Sequence, residues 1–248
     1  MRSNSPKPLH THQVQVTLKC ISDLALERDY YHSILSEDEK ARAARFHFPK
    51  DQVSFTVTRG YLRNFLAKYL NIDPCLVSFT YNEFGKPSLC HQTHSQDVPI
   101  KFNLSHAGDY LAIAITQGID VGIDIEKIDT TIAYKDIAQN FFSNAELNEI
   151  NRQLPDQQIK HFFYCWTRKE AYIKGHGMGL SMPLKSFDVS TCNTQQPILL
   201  TTRHDTSSNE QWVIHHLNTP EPYVGAVSVN HQTAQLFFLN EAEFLHAL

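Results

Sequence analysis

Residues 121–127 read VGIDIEK. Side chains alternate along a strand, so Val121, Ile123 and Ile125 leave one face and Gly122, Asp124 and Glu126 the other. Two residues of strand rise hold the two acids about 6.6 Å apart. At an effective dielectric of 20, unscreened carboxylates at that distance repel by about 2.5 kcal/mol. Two readings follow. The strand is amphipathic and its acidic face is wet, so water absorbs the cost. Or the acids form a cation site, since a hard divalent ion such as Mg²⁺ takes one or two carboxylates plus a substrate phosphate. The turn Gln117-Gly118-Ile119-Asp120 joins this strand to an apolar strand ending at Thr116 and reads as a hairpin that crosses from one half of the chain to the other. The acids then lie at a junction between halves, where clefts form most readily.

A faint repeat supports two halves. Leu35-Ser36-Glu37-Asp38-Glu39 and Phe142-Ser143-Asn144-Ala145-Glu146 both contain Ser-x-x-Glu, the capping-box signature of a helix start. Thr58-Arg59 matches Thr167-Arg168 in helical stretches. Ser78-Phe79 after Pro74 matches Ser186-Phe187 after Pro183, and Tyr110–Ala114 matches Tyr223–Val227, both as strands. The matches keep one order and a nearly constant offset, which predicts two similar helix–helix–strand–strand units, the first ending near Gly118.

QQIKHFFYCWTRKEAYIKG (157–175) predicts a helix that ends at Gly175 as the residue after the C-cap. Phe163, Trp166 and Ile173 form an inward stripe, and Glu170 occupies a core position within it. A buried carboxylate must be paired, bind metal or hold a proton. Lys174, one turn on, offers an ordinary surface pair, but that does not explain the shared stripe. A metal shared by Asp124, Glu126 and Glu170 accounts for both anomalies, with Lys169 and Lys174 beside it for a polyanion.

FNLSHAGDY (102–110) sets Asn103, Ser105, His106 and Gly108 before a strand, either as a polar turn or as donors to phosphate oxygens. Lys86 lies in a Gly-Lys-Pro turn, and Arg42, Arg45, Arg59 and Arg63 lie on helices; guanidinium suits phosphate. No P-loop, dinucleotide fingerprint, G-x-S-x-G elbow or H-E-x-x-H is present. The 248 residues, 42% hydrophobic, suffice for a packed core, and the net charge of −4 argues against a nucleic-acid partner. The five scattered cysteines point to a reducing compartment. With no signal peptide and no membrane-length apolar run, a cytoplasmic protein is expected, its residues 1–13 frayed.

The segments GKPSL (85–89), FNLSHAG (102–108), VGIDIEK (121–127), FFSNAE (141–146) and WTRKEAYIKGHGMGL (166–180) together resemble, in order, the motifs of the 4′-phosphopantetheinyl transferases, in their double-length, surfactin-synthetase-activating type. The resemblance implies an α+β fold: two similar halves, 1–118 and 119–229, related by pseudo-two-fold symmetry. Each half is a small, mostly antiparallel sheet packed with helices, the active site lies between them, and a tail (230–248) packs back on the first half. It implies Mg²⁺-dependent transfer of the phosphopantetheine arm of coenzyme A to a serine of an apo acyl or peptidyl carrier protein, releasing adenosine 3′,5′-bisphosphate. Asp124, Glu126 and Glu170 would ligate Mg²⁺, and Asp124, Lys169 and Lys174 would adjoin coenzyme A. Lys86, Ser105, His106, Arg42, Arg45 and Arg59 would hold its nucleotide end. Lys174 would neutralise the leaving phosphate. Glu146 is the family-matching base, with Glu170 or a metal-bound hydroxide as alternatives; Glu146 also reads as a helix cap. A non-catalytic coenzyme A- or carrier-binding module, or another Mg²⁺-dependent nucleotide enzyme, would use the same features. If the two halves complete the site, a monomer suffices.

Overall fold

The computed structural model describes residues 9–94, 97–192, 198–199, 201–202 and 212–239. The chain opens with β1 (Gln13–Cys20), then α1 (Ile21–Ala25), α2 (Arg28–Ser33), α3 (Glu37–Ala44) and α4 (Pro49–Leu70). A short hairpin, β2 (Phe79–Tyr81) and β3 (Pro87–Leu89), precedes β4 (Ile100–Ala107) and β5 (Tyr110–Gln117). Next come β6 (Val121–Lys127), α5 (Tyr134–Phe141), α6 (Asn144–Asn151) and α7 (Gln158–His176). The remaining strands are β7 (Phe187–Asp188), β8 (Ile198–Leu199), β9 (Thr201–Thr202), β10 (Trp212–Leu217), β11 (Tyr223–Asn230) and β12 (Gln235–Phe238).

Local chemistry sets the helix ends. Ser36 and Ser143 each close a complete capping box, with Glu39 and Glu146 returning the bond. Pro49 opens α4, where its missing N–H costs nothing, and Asn71 ends it at φ 54°. The helix predicted to stop at Gly175 runs on to His176. Gly177, at φ 73°, is the left-handed cap, because only that position needs the conformation glycine adopts freely.

The mixed α+β architecture holds two four-stranded sheets, ordered β12-β1-β5-β4 and β6-β11-β10-β8. Pairing is antiparallel except between β12 and β1. The predicted hairpin at 117–120 is instead a crossover: β5 pairs with β4 and β1, whereas β6 pairs with β11. Gly118, at φ 79°, makes the turn between sheets. Leu111, Ile113 and Ile115 face α4, while Ala112 and Ala114 pack with Val14 and Val16 against Val121, Ile123, Ile125, Val227 and Val229. The opposite face of β11, Val224 and Ala226, meets α7. Helix, sheet, sheet and helix are therefore stacked, with an apolar core at each of the three interfaces. Gln13, expected to be frayed, begins β1 opposite Gln235, and Leu9 packs on the first core. Residues 1–8 of the expected frayed end and 240–248 of the expected tail lie outside the described residues.

Candidate active site

The wet-face reading of β6 fails. Residues Val121 to Ile125 are all buried, Asp124 to 2% exposure. What covers the acidic face is α7, brought in by glycine. A Cβ on Gly122 would lie 2.0 Å from the Ala171 carbonyl oxygen and 2.3 Å from the Gly175 nitrogen. A Cβ on Gly175 would strike the Trp212 ring at 2.6 Å. Gly175 therefore serves close packing inside the helix rather than its end. This near backbone contact sets Asp124 and Glu126 beside Glu170 and Lys174.

Lys174 Nζ donates to Asp124 Oδ1 at 2.6 Å and to Ser105 Oγ at 3.0 Å, and Ser105 Oγ donates to the same carboxylate oxygen at 2.9 Å. Asp124 Oδ2 is buried with no hydrogen-bond partner. Burial raises the Asp124 pKa and outweighs Lys174 and Ser105. Glu126 is pushed up to about 7, first by burial, then by the charge of Asp124; Glu170 adds to the rise, and Lys174 and a hydrogen bond donated by Trp166 oppose it. Glu170 is raised by burial and by Asp124. The three carboxylates thus feel one another across the strand–helix joint. Such a set of hard oxygens, one of them buried and bare, has the chemistry of a divalent-cation site. Among the described residues, however, no three His, Cys, Asp or Glu side chains are arranged to hold a metal as they stand; Lys174 is the cation that Asp124 holds.

A cleft of about 260 Å³ adjoins this cluster, lined by Glu170, Ile173 and Lys174 on one side and by Phe84, Gly85, Lys86 and Asn103 on the other. Lys86 Nζ donates to the carbonyls of Gly175 (2.8 Å) and Val121 (3.2 Å), and burial lowers its pKa to about 8. Asn103 Oδ1 accepts from Ile123 N at 2.9 Å and stitches β4 to β6. His106 is exposed at this end of β4, where surrounding protein and the charge of Lys174 lower its pKa. A second groove, about 610 Å³, begins at Glu126 and runs over Ile128, Ile132, Ile137, Phe162 and Trp166.

Five of the expected site residues need correction or separate placement. Lys169 is fully buried; its Nζ donates to the carbonyls of Leu184 (2.7 Å) and Phe187 (2.8 Å) and pairs with Glu146 Oε1 at 2.8 Å. Glu146, 1% exposed, also accepts from the backbone of Ser143 and Val189. Both side chains are sealed away from the cleft surface, and in this structure Glu146 serves as a cap and an ion-pair partner. Arg59 is buried on Glu39 (2.5 Å), bonded to the Tyr81 hydroxyl and stacked over Phe79 at 4.1 Å. Arg42 and Arg45 are exposed at the end of α3, Arg42 over the Phe55 ring. The sequence reading missed that Glu39 would be buried and that Arg59 and Arg63 would both clamp it. The repeat held the signal, because Glu39 and Glu146 fill the same slot of matching capping boxes.

Two family profiles match either side of the crossover. One, described as the 4′-phosphopantetheinyl transferase superfamily, covers residues 120–228; the other, described as 4′-phosphopantetheinyl transferase, N-terminal, covers residues 26–118. The 4′-phosphopantetheinyl transferase HetI of Nostoc sp. is 39% identical over 168 residues, 67% of this chain and 69% of that protein. A 4′-phosphopantetheinyl transferase of Bacillus subtilis is 34% identical, and the 4′-phosphopantetheinyl transferase Sfp of the same species is 31% identical; each match covers 66% of this chain and 69% of the relative. Matched on both sides of the crossover and at these identities, the chain belongs to the 4′-phosphopantetheinyl transferase superfamily and is a transferase of the Sfp type.

Proposed function

We propose that the enzyme moves the phosphopantetheine arm of coenzyme A to a serine of an apo acyl or peptidyl carrier protein and releases adenosine 3′,5′-bisphosphate. The observation that carries this reading is the bare, buried Asp124 Oδ2 within a cluster of coupled carboxylates at the mouth of a lysine-lined cleft. Asp124, Glu126 and Glu170 would hold Mg²⁺, which when bound supplies charge neutralisation to the pyrophosphate. Lys86, Ser105 and His106 lie where the nucleotide end would rest, with Arg42 and Arg45 farther out on α3. The apolar groove beginning at Glu126 suits the pantetheine arm.

The serine oxygen attacks the phosphorus that bears pantetheine, and the bond from that phosphorus to the bridging oxygen breaks. Charge builds on the leaving phosphate, and Lys174 neutralises it; transfers of this type need positioning and charge more than covalent help. With Glu146 sealed away, Glu170 is the carboxylate that takes the serine proton. Without a bound cation, burial and the charge of Asp124 raise its pKa above the ordinary glutamate value, the direction a base needs.

We further propose two halves, 1–118 and 119–229, related by a pseudo-two-fold axis, with the site between them and the tail from 230 packed on the first half. The matching strand orders β1-β5-β4 and β6-β11-β10, the paired capping boxes, and the 4.7 Å edge contact of the matched Tyr110 and Tyr223 rings support this. The pairing of β12 on β1 supports the placement of the tail. Among the described residues no helix is long and apolar enough to cross a membrane. We place the enzyme in the cytoplasm as a monomer without a nucleic-acid partner.

The test is mass spectrometry of a panel of apo-carriers after incubation with enzyme, coenzyme A and Mg²⁺. One carrier gains the phosphopantetheine mass, EDTA stops the gain and added Mg²⁺ restores it. An unchanged carrier with bound coenzyme A would mean a binding module, and turnover of ATP without a carrier would mean a different nucleotide enzyme.

A further inference from the structure

We infer that Asn82, in the β2–β3 hairpin of the first half, is a positioning residue that latches this hairpin onto the C-terminal end of α7 and so fixes the width of the coenzyme A cleft. The inference rests on the assignment of coenzyme A to that cleft. Asn82 uses its side chain in two directions. Its Oδ1 accepts from Phe84 N at 3.0 Å and Lys86 N at 2.8 Å, which shapes the turn and aims the Lys86 backbone. Its Nδ2 crosses to the second half and donates to the Gly177 carbonyl at 2.7 Å.

The last carbonyls of a helix lack partners within it and carry its negative pole. Asn82 takes the one at Gly177, and Lys86 takes the one at Gly175 together with Val121 O at the start of β6. The hairpin therefore caps α7 from outside, using side chains of the opposite half. The turn it shapes, Phe84 to Lys86, is one wall of the cleft; Ile173, Lys174 and Gly177 belong to the other. Asn82 itself does not line the cleft, so its effect on the substrate passes through the residues on either wall.

Two substitutions separate latch from turn. Asn82→Asp keeps the acceptor for Phe84 N and Lys86 N but turns a carboxylate oxygen toward the Gly177 carbonyl. Asn82→Ala removes both functions. Backbone amides of residues 174–177 should exchange with deuterium about tenfold faster in Asn82→Asp than in the wild type. The KM for coenzyme A should rise about 3- to 10-fold, the range set by one lost hydrogen bond, with kcat within about twofold and Tm within about 2 °C. Unchanged exchange or an unchanged KM in Asn82→Asp overturns the latch. So does a defect in Asn82→Ala alone, because Asn82 would then only shape the turn. If exchange quickens but the wild type neither binds nor consumes coenzyme A, the substrate assignment falls and the latch between halves stands. If the wild type uses coenzyme A and exchange is untouched, the latch falls and the assignment stands.

Discussion

Lys169 and Lys174 leave the same helix and meet different surroundings. Lys174 keeps a partly exposed side chain in the cleft and pairs with Asp124; Lys169 is sealed on Glu146 and two carbonyls. Breaking a buried pair by removing one partner leaves an uncompensated charge and costs about 3–5 kcal/mol. Lys169→Met is therefore expected to lower unfolding stability in urea by about that amount. Glu146→Gln should cost a similar amount, since it leaves Lys169 without its counter-charge and its single amide oxygen serves only one of the Ser143 and Val189 amides, but its turnover per folded molecule should stay near the wild-type value at every pH. A loss of turnover without a loss of stability in Glu146→Gln would restore it as the base. Asp124→Asn is the opposite case. It should retain the fold and lose about 10²–10³-fold in transfer, measured as carrier modification at saturating coenzyme A. The motif letters made Asp124, Glu126, Glu170 and Lys174 legible. The burial of Lys169 was not legible, because a lysine in a polar-looking run looks solvated until the carbonyls of Leu184 and Phe187, far along the chain, are seen to receive it.

Among elements, the joint between β6 and α7 matters most for chemistry. The alternation of VGIDIEK gave the correct faces, but not that the acidic face lies under a helix. Gly122 was readable as a strand glycine and Gly175 as a helix stop; only their mutual approach reveals that both exist to let backbones touch. Likewise, alternation could not tell a hairpin from a crossover at 117–120, because either turn accepts Gly118. Gly122→Ala puts a methyl 2.0 Å from the Ala171 carbonyl, so α7 must withdraw by more than about 1 Å to reach ordinary contact. A misplacement of that size costs about 10²-fold in turnover. The expected result is a drop of that order in kcat with a lowered Tm. A Gly122→Ala enzyme with wild-type kcat would show that α7 and β6 need no such registry.

At the scale of the whole molecule, the two sheets share the core built on Ala112, Ala114, Val121, Ile123 and Val227. Neither half can keep its inner face covered after the other unfolds. The two halves should therefore lose structure together, and the chain supplies a reporter: its two tryptophans, Trp166 and Trp212, both lie in the second half. Glu39, in the first half, supplies the perturbation. Burial alone would raise its pKa, but the hydrogen bond from Arg63, the charge of Arg59 and the bond from Ser36 together hold it below the ordinary glutamate value. A depressed carboxylate contributes stability that is complete above its unfolded pKa, about 4.5. That contribution fades as pH falls through the lower folded value. Glu39→Gln strands Arg59 and Arg63 and should cost about 3–5 kcal/mol at pH 7, while its stability should fall less steeply below about pH 4.5. The gap between wild type and variant should narrow in acid, and tryptophan fluorescence, a signal from the other half, should register both the loss at neutrality and the narrowing. If the tryptophans ignore Glu39→Gln while circular dichroism of the first half's helices responds, the two halves unfold independently and the shared sheet–sheet core does not couple them.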